Sequence, residues 1–260
     1  VTPRLLLCHA AGTTVHGFPG YEPTATLPSV PDVLDGAGGA NTAAVRVDLE
    51  PGTKERYSGG GTTILQLLLT EVTGKPFPQV LQEWVLAPAG MTDSAFDQPP
   101  RPERASHAAR AHLANGATAA ARWHVYPELA AAGLWTTPRD LSLLAIEVWR
   151  ARRGESDRLL TAESAKLMTA PAGIGSFALG FEMQDRGNDA TGEVWYFSHS
   201  GGNWGFRSLL VVDREHGHGF AAMINGSDFN PLLEVQRRIV QAYEWKGDFT
   251  KPPRNWPIDH

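Results

Sequence analysis

Apolar positions follow two regimes along the 260 residues, recurring at helical spacing up to about residue 170 and alternating as in strands after Pro171. At the start, Thr2 as N-cap and Pro3 at the first helical position precede Leu5, Leu6 and Leu7, which predicts a short helix with Gly12 as its stop. Residues 13–44 are rich in Gly, Pro and Thr with little periodicity and read as a long wrapped loop. Residues 45–49 alternate weakly as a short strand, and Pro51-Gly52 is a turn. Two helices follow: one over 62–73 stopping at Gly74, and one whose face is Phe77, Val80, Leu81, Trp84 and Val85, ending before Pro88.

The middle of the chain is less regular. Residues 99–102 are a Pro-rich connector, and 105–121 is alanine-rich without a strong apolar face. At Thr137-Pro138-Arg139-Asp140 an N-cap signature starts a helix to about Arg152 that buries Leu141, Leu144, Ala145, Val148 and Trp149. A short helix fits 161–168. Strands are predicted at 177–183, 194–198, 207–213 and 219–225, with turns at 185–189 and 215–217. Short turns between closely spaced strands imply an antiparallel sheet, across which an amphipathic segment over 232–245 packs before a Pro-rich tail at 252–257. The expected architecture is α+β: a mainly helical lobe with long loops over 1–170, then an antiparallel sheet with a C-terminal helix over 171–260.

Composition narrows the function classes. A hydrophobic content of 42% and eight tryptophans suit a sizeable core, and a formal charge of -5 offers no footprint for nucleic acid. No apolar run approaches the roughly 18 residues a spanning helix needs. The single cysteine, Cys8, excludes an intrachain disulfide and reads as a small buried hydrophobe. His216-Gly217-His218 reads as a turn, since no third ligand accompanies the pair, and the other histidines outside residue 199 lack ligand spacing. No metal and no cofactor are called for.

Two stretches carry chemistry. Tyr57-Ser58-Gly59-Gly60-Gly61 opens a helix, and its glycines permit close backbone approach and positive φ. A phenol accepts a proton usefully only if a cation lowers its pKa, so Tyr57 needs such a partner and a nucleophile to act on. His199-Ser200-Gly201-Gly202 sits at the end of a strand and leads into Asn203-Trp204; glycines there expose backbone N–H groups able to bind an oxyanion.

With Pro51-Gly52, Tyr57-Ser58, Gly60, residues 72–77, 88–91 and 134–141, and His199-Ser200-Gly201, the chain resembles the penicillin-recognising serine hydrolases: class C β-lactamases, D-amino-acid peptidases and related carboxylesterases. The resemblance covers nearly the whole chain in the family's order. It implies a β-lactamase/transpeptidase-like fold and an acyl-enzyme reaction on a small ester, amide or β-lactam. It also implies Tyr57 as base, His199 in the third box and the Gly202 N–H as oxyanion donor, with Ser58, Gly59, Ser200, Gly201, Asn203 and Trp204 lining the substrate site. Relatives are commonly exported.

Two departures stand out. Gly59 replaces the asparagine often found there, and no Ser-x-x-Lys occurs in the 260 residues. The expectation is that the nucleophile helix and first strands lie upstream of Val1, and that the chain folds with that complementary N-terminal segment. The competing expectation is a non-catalytic ligand-binding or regulatory relative that keeps the site.

Overall fold

A computed structural model describes residues 1–190 and 192–251; the Pro-rich tail expected at 252–257 lies outside them. The chain opens with α1 (Pro3–Leu7), capped by the Thr2 hydroxyl, which accepts from Leu5 N at 3.3 Å. This helix closes at Cys8, well before Gly12. The long loop that follows holds one helix, α2 (Val30–Asp35), with a Ser29/Asp32 capping box. The strand expected at 45–49 shrinks to a single bridge between Thr13 and Val47.

Helix α3 (Gly59–Thr73) begins three residues earlier than the apolar run suggests, because Ser58 caps it, and it ends at Gly74 in the left-handed conformation. The next helical run comprises α4 (Phe77–Leu81), a π turn at Gln82–Leu86 and α5 (Ala87–Ala89). It therefore passes through Pro88 rather than stopping before it. A π turn lengthens the hydrogen-bond loop where Pro88 can neither donate nor tolerate a tight preceding carbonyl. The extra residue also shifts the helical phase, and Trp84, expected in the core, is 54% exposed.

After the short helices α6 (Pro102–Ala105) and α7 (Leu129–Ala132) comes α8 (Pro138–Arg152), with the Thr137 hydroxyl accepting from Asp140 N at 3.2 Å. The buried Asp140 carboxylate accepts from Asp93 N and the Ser94 hydroxyl, both at 2.8 Å, tying the α5 exit to the start of α8. Helix α9 (Ala162–Met168) starts one residue after the expected 161, because Thr161 caps it.

Strands β1 (Glu182–Asp189), β2 (Gly192–Asn203), β3 (Phe206–Asp213) and β4 (Gly219–Ile224) form an antiparallel sheet in chain order. The first strand is displaced from the expected 177–183, and the supposed turn at 185–189 is strand. Its polar side chains hide the signal: buried Gln184 donates to the Ser198 hydroxyl at 2.9 Å, and buried Arg186 donates to Gln184 Oε1 at 2.6 Å and to the Lys251 carbonyl at 2.8 Å. Burial pulls the Arg186 pKa down to about 10. Polar groups satisfied this way occupy sheet positions that alternation assigns to apolar residues.

The sheet is the middle of three layers. Leu210, Val212 and Phe197 face Ala145 and Val148 of α8. Leu209, Val211 and Tyr196 face Leu232 of α10 (Asn230–Ala242) and Trp245 beyond it. Each such buried side chain contributes about 1.5–3 kcal/mol relative to exposure. A second core, around Phe77, Leu86, Met91 and Phe96, holds the helical lobe together. Among the described residues no helix is long and apolar enough to cross a membrane.

Candidate active site

The two chemistry-bearing stretches meet although 142 positions separate Tyr57 from His199 (199 minus 57). Their ring centroids lie 6.3 Å apart, and Phe177 completes a triangle at 5.8 Å from Tyr57 and 6.0 Å from His199. Glu55 holds Phe177 there: its carboxylate accepts from Ser176 N at 2.6 Å and Phe177 N at 3.0 Å.

The Tyr57 side is built by close backbone packing. Ser58 is buried, and its hydroxyl accepts from Gly61 N at 2.9 Å and donates to the Thr14 carbonyl at 2.6 Å. That hydroxyl thus serves the helix cap and the wall. Gly59 N and Gly60 N donate to the carbonyls of His16 and Val15 at 2.9 and 3.0 Å. A Cβ on Gly60 would stand 2.8 Å from both Thr14 O and a Val45 methyl, and one on Gly59 would stand 3.1 Å from His16 O. These glycines answer to close approach alone; they are helical, and none has the positive φ their run had suggested.

The partners of Tyr57 are also different from those expected. Among the described residues no cation adjoins it, and burial raises the phenol's pKa above the ordinary value. Instead three imidazoles surround the ring: His9 at 4.1 Å, His16 at 4.9 Å and His199. His9 is buried, and its Nδ1 accepts the Ser58 N–H at 3.2 Å, so the ring proton is on Nε2. Burial, then the neighbouring His199 and His16, lower its pKa to about 3. His199 takes the opposite tautomer: Nδ1 lies 2.6 Å from the Ser200 carbonyl, which can only accept, so Nε2 carries the lone pair. Burial lowers the His199 pKa as well. Both imidazoles are neutral near pH 7.

On the sheet side, β2 continues through the glycines to Asn203, so the second motif lies within a strand, not at its end. Asn203 pairs with Phe206 across the two-residue turn Trp204-Gly205. In such a hairpin the closing pair exchanges backbone hydrogen bonds, and alternate residues point outward. Gly202, opposite Arg207, and Ser200, opposite Leu209, therefore turn their N–H groups away from β3. On that side β1 reaches only as far as Ser198, paired with Glu182, so no strand covers them among the described residues. Gly201, opposite Ser208, points its N–H into the ladder.

Asn203 and Trp204 brace the hairpin tip. Asn203 Nδ2 donates to the Ala132 carbonyl at 2.8 Å, Trp204 N donates to the Tyr126 hydroxyl at 3.0 Å, and the Trp204 ring stacks on His124 at 4.1 Å, 3° from parallel. The bracing segment is itself held by Gln66, which donates to the Pro127 carbonyl at 3.0 Å and accepts from Ala130 N at 2.9 Å. Inside it, Glu128 is fully buried, and neither carboxylate oxygen has a hydrogen-bond partner among the described residues. Burial raises its pKa to about 7.

His9, His16, Phe177 and Glu55 escape sequence reasoning because nothing in their spacing ties them to residues 57 or 199. Two surface hollows lie elsewhere, one lined by Trp195, Asp213 and His216, the other by Gln66, Phe96 and Leu129. His216 sits in the β3–β4 connection with Nδ1 3.0 Å from Asp213 Oδ2.

The beta-lactamase family profile fits residues 1–243. No curated protein matches the chain. Among solved structures, D-amino acid amidase from Ochrobactrum anthropi SV3 is 21% identical with a TM-score of 0.71, over 93% of this chain and 73% of that one. A D-stereospecific amidohydrolase from Streptomyces sp. is 21% identical with a TM-score of 0.62, over 90% of this chain and 72% of that one. A penicillin binding protein from Bacillus halodurans is 16% identical with a TM-score of 0.66, over 92% of this chain and 72% of that one. At these identities the likeness is one of fold.

Proposed function

The chain belongs to the beta-lactamase family, and on that premise we propose that it forms the base-and-oxyanion part of a serine hydrolase acting on an ester or amide through an acyl-enzyme. The observation that carries the reading is the convergence of Tyr57, His199 and the outward Gly202 N–H from distant parts of the chain. In this scheme a serine oxygen attacks the substrate carbonyl, and its proton passes to Tyr57 as phenolate. The carbonyl oxygen, now negative, accepts from the Gly202 N–H. Collapse of the tetrahedral intermediate then breaks the ester or amide bond, and the departing alcohol or amine takes that proton back. The His199 Nε2 lone pair can accept a hydrogen bond from the phenol or from the substrate.

None of the serines in the 260 residues is followed three positions later by lysine. We place the nucleophile on a Ser-x-x-Lys segment outside them, ahead of Val1. The same lysine would supply the cation that Tyr57 lacks, since a positive charge beside a buried phenol favours the phenolate. Edge strand β4 gives such a segment a ladder to join. Small amides, including those of D-amino acids, are the substrate class suggested by the fold neighbours.

The test is covalent labelling of the chain together with the residues encoded ahead of Val1. A fluorophosphonate or penicillin probe should form one serine adduct, and Tyr57→Phe should slow its formation by about 10²–10⁴. A folded protein that takes no adduct would remove the catalytic reading. It would favour the second one, a binding homologue, which the missing Asn at residue 59 and the raised phenol pKa support.

A further inference from the structure

The segment 9–16 contains two strained residues, both bonded to the start of α3. His9 has φ 53° and Val15 has φ 63°, a left-handed conformation that is costly for any side chain and most of all for a β-branched one. Val15 spends that strain on presenting its carbonyl to Gly60 N. His9 does more. Its carbonyl accepts from Arg56 N at 2.7 Å, its Nδ1 accepts from Ser58 N at 3.2 Å, and between these two contacts its ring lies on Tyr57. Residues 56, 57 and 58 are thus gripped in turn by the backbone, ring face and ring nitrogen of one residue. Phe177 closes the other edge of the imidazole at 4.6 Å, nearly perpendicular.

We propose that His9 is a positioning residue for Tyr57: its imidazole, locked by the Ser58 amide and by Phe177, is the template that sets the orientation of the phenol ring. The inference rests on the reading of Tyr57 as the base, and concerns how that base is held. A cap or turn residue alone would need only a left-handed backbone and an acceptor for Ser58 N. The ring-on-ring contact is the additional feature, and the one the proposal depends on. Because Nδ1 is occupied as an acceptor, the imidazole cannot take a proton there without losing the Ser58 contact. The template therefore stays neutral over the range in which an ordinary histidine titrates.

The experiment separates ring from turn in the same protein as is used for labelling. His9→Asn keeps an acceptor and a residue that tolerates the left-handed region, but removes the ring. With ring-labelled tyrosine, the Tyr57 signals are assigned by their loss in Tyr57→Phe. In His9→Asn the Tyr57 ring should flip about tenfold faster or more, the effect of a barrier lowered by about 1.4 kcal/mol. Its titration should also move down toward the ordinary phenol value as water reaches the vacated space. An unchanged flip rate and titration in folded His9→Asn would overturn the proposal.

If that variant does not fold, ¹⁵N spectra of the parent decide. Nδ1 should remain an unprotonated acceptor through pH 5, and an imidazole titrating near 6.5 would overturn the proposal equally. Neither readout uses turnover. A failed labelling experiment with intact ring signals would count against the catalytic reading alone, and normal labelling with a mobile-ring-insensitive His9→Asn would count against the positioning role alone.

Discussion

The two sides of the site are held by opposite means. The Tyr57 side is a tight backbone contact, in which three helical glycines lie against residues 13–16 with no room for a β-carbon at Gly60. The His199 side is a hairpin held in the sheet by β4 from Arg207 onward, left without a strand partner beside Ser200 and Gly202 among the described residues, and braced at its tip by Asn203, Trp204 and the segment 126–132. Each side also buries one titratable group whose charged form is disfavoured: His9, a base, against Tyr57, and Glu128, an acid, behind the hairpin. Precision at Tyr57 thus comes from steric exclusion, whereas the tip of the hairpin is set by a few hydrogen bonds around a carboxyl group that has none among the described residues.

The contrast is sharpest in the response to pH. The His9 pKa falls from 6.5 to about 3 on folding, so its contribution is complete above pH 6.5 and is lost as pH falls toward 3. That loss amounts to about 5 kcal/mol. Urea unfolding of His9→Asn across that range should lack this component of acid destabilisation. An identical acid profile in parent and variant would show that the Tyr57 side is not closed around a neutral base.

Glu128 runs the other way. Its pKa rises from 4.5 to about 7 on folding, so stability is full below pH 4.5 and declines as pH rises through 7. The decline is about 3 kcal/mol. Glu128→Gln should flatten the fall in melting temperature between pH 5 and pH 8, and a fall that persists in the variant would place its origin elsewhere.

The smallest expected effects test the steric half of the contrast. Gly60→Ala should cost about 1–3 kcal/mol in chemical denaturation, because its Cβ meets Thr14 O and Val45 at 2.8 Å. Gly202→Ala, whose Cβ finds nothing nearer than Arg207 at 3.7 Å, should change stability by no more than about 0.5 kcal/mol. Equal costs at the two positions would erase the distinction between the sides.

Local signals in the sequence were legible wherever one short segment carried its own cause. Thr137-Pro138 starts α8 and Gly74 ends α3 because caps need only their nearest neighbours. The strands β3 and β4 read as nearly continuous apolar runs because both faces of their sheet are covered by apolar layers. Strand β1 was misplaced because Gln184 and Arg186 are accommodated by hydrogen bonds to the Ser198 hydroxyl and the Lys251 carbonyl, which no local pattern reveals. Trp84 was misplaced because the π turn before Pro88 changes the helical phase midway.

By itself the sequence determined the α+β class, the order of the elements, the two motifs at Tyr57 and His199 and the likeness to the penicillin-recognising hydrolases. Only the tertiary structure decided what surrounds the phenol. His9, His16 and Phe177 reach Tyr57 through chain reversals that bring residues 9, 57, 177 and 199 together, and contacts between segments so far apart leave no periodicity to read. Likewise, the direction of the Gly202 N–H follows from hairpin register, and the raised pKa of Glu128 from burial. Both are properties of packing and not of residue type.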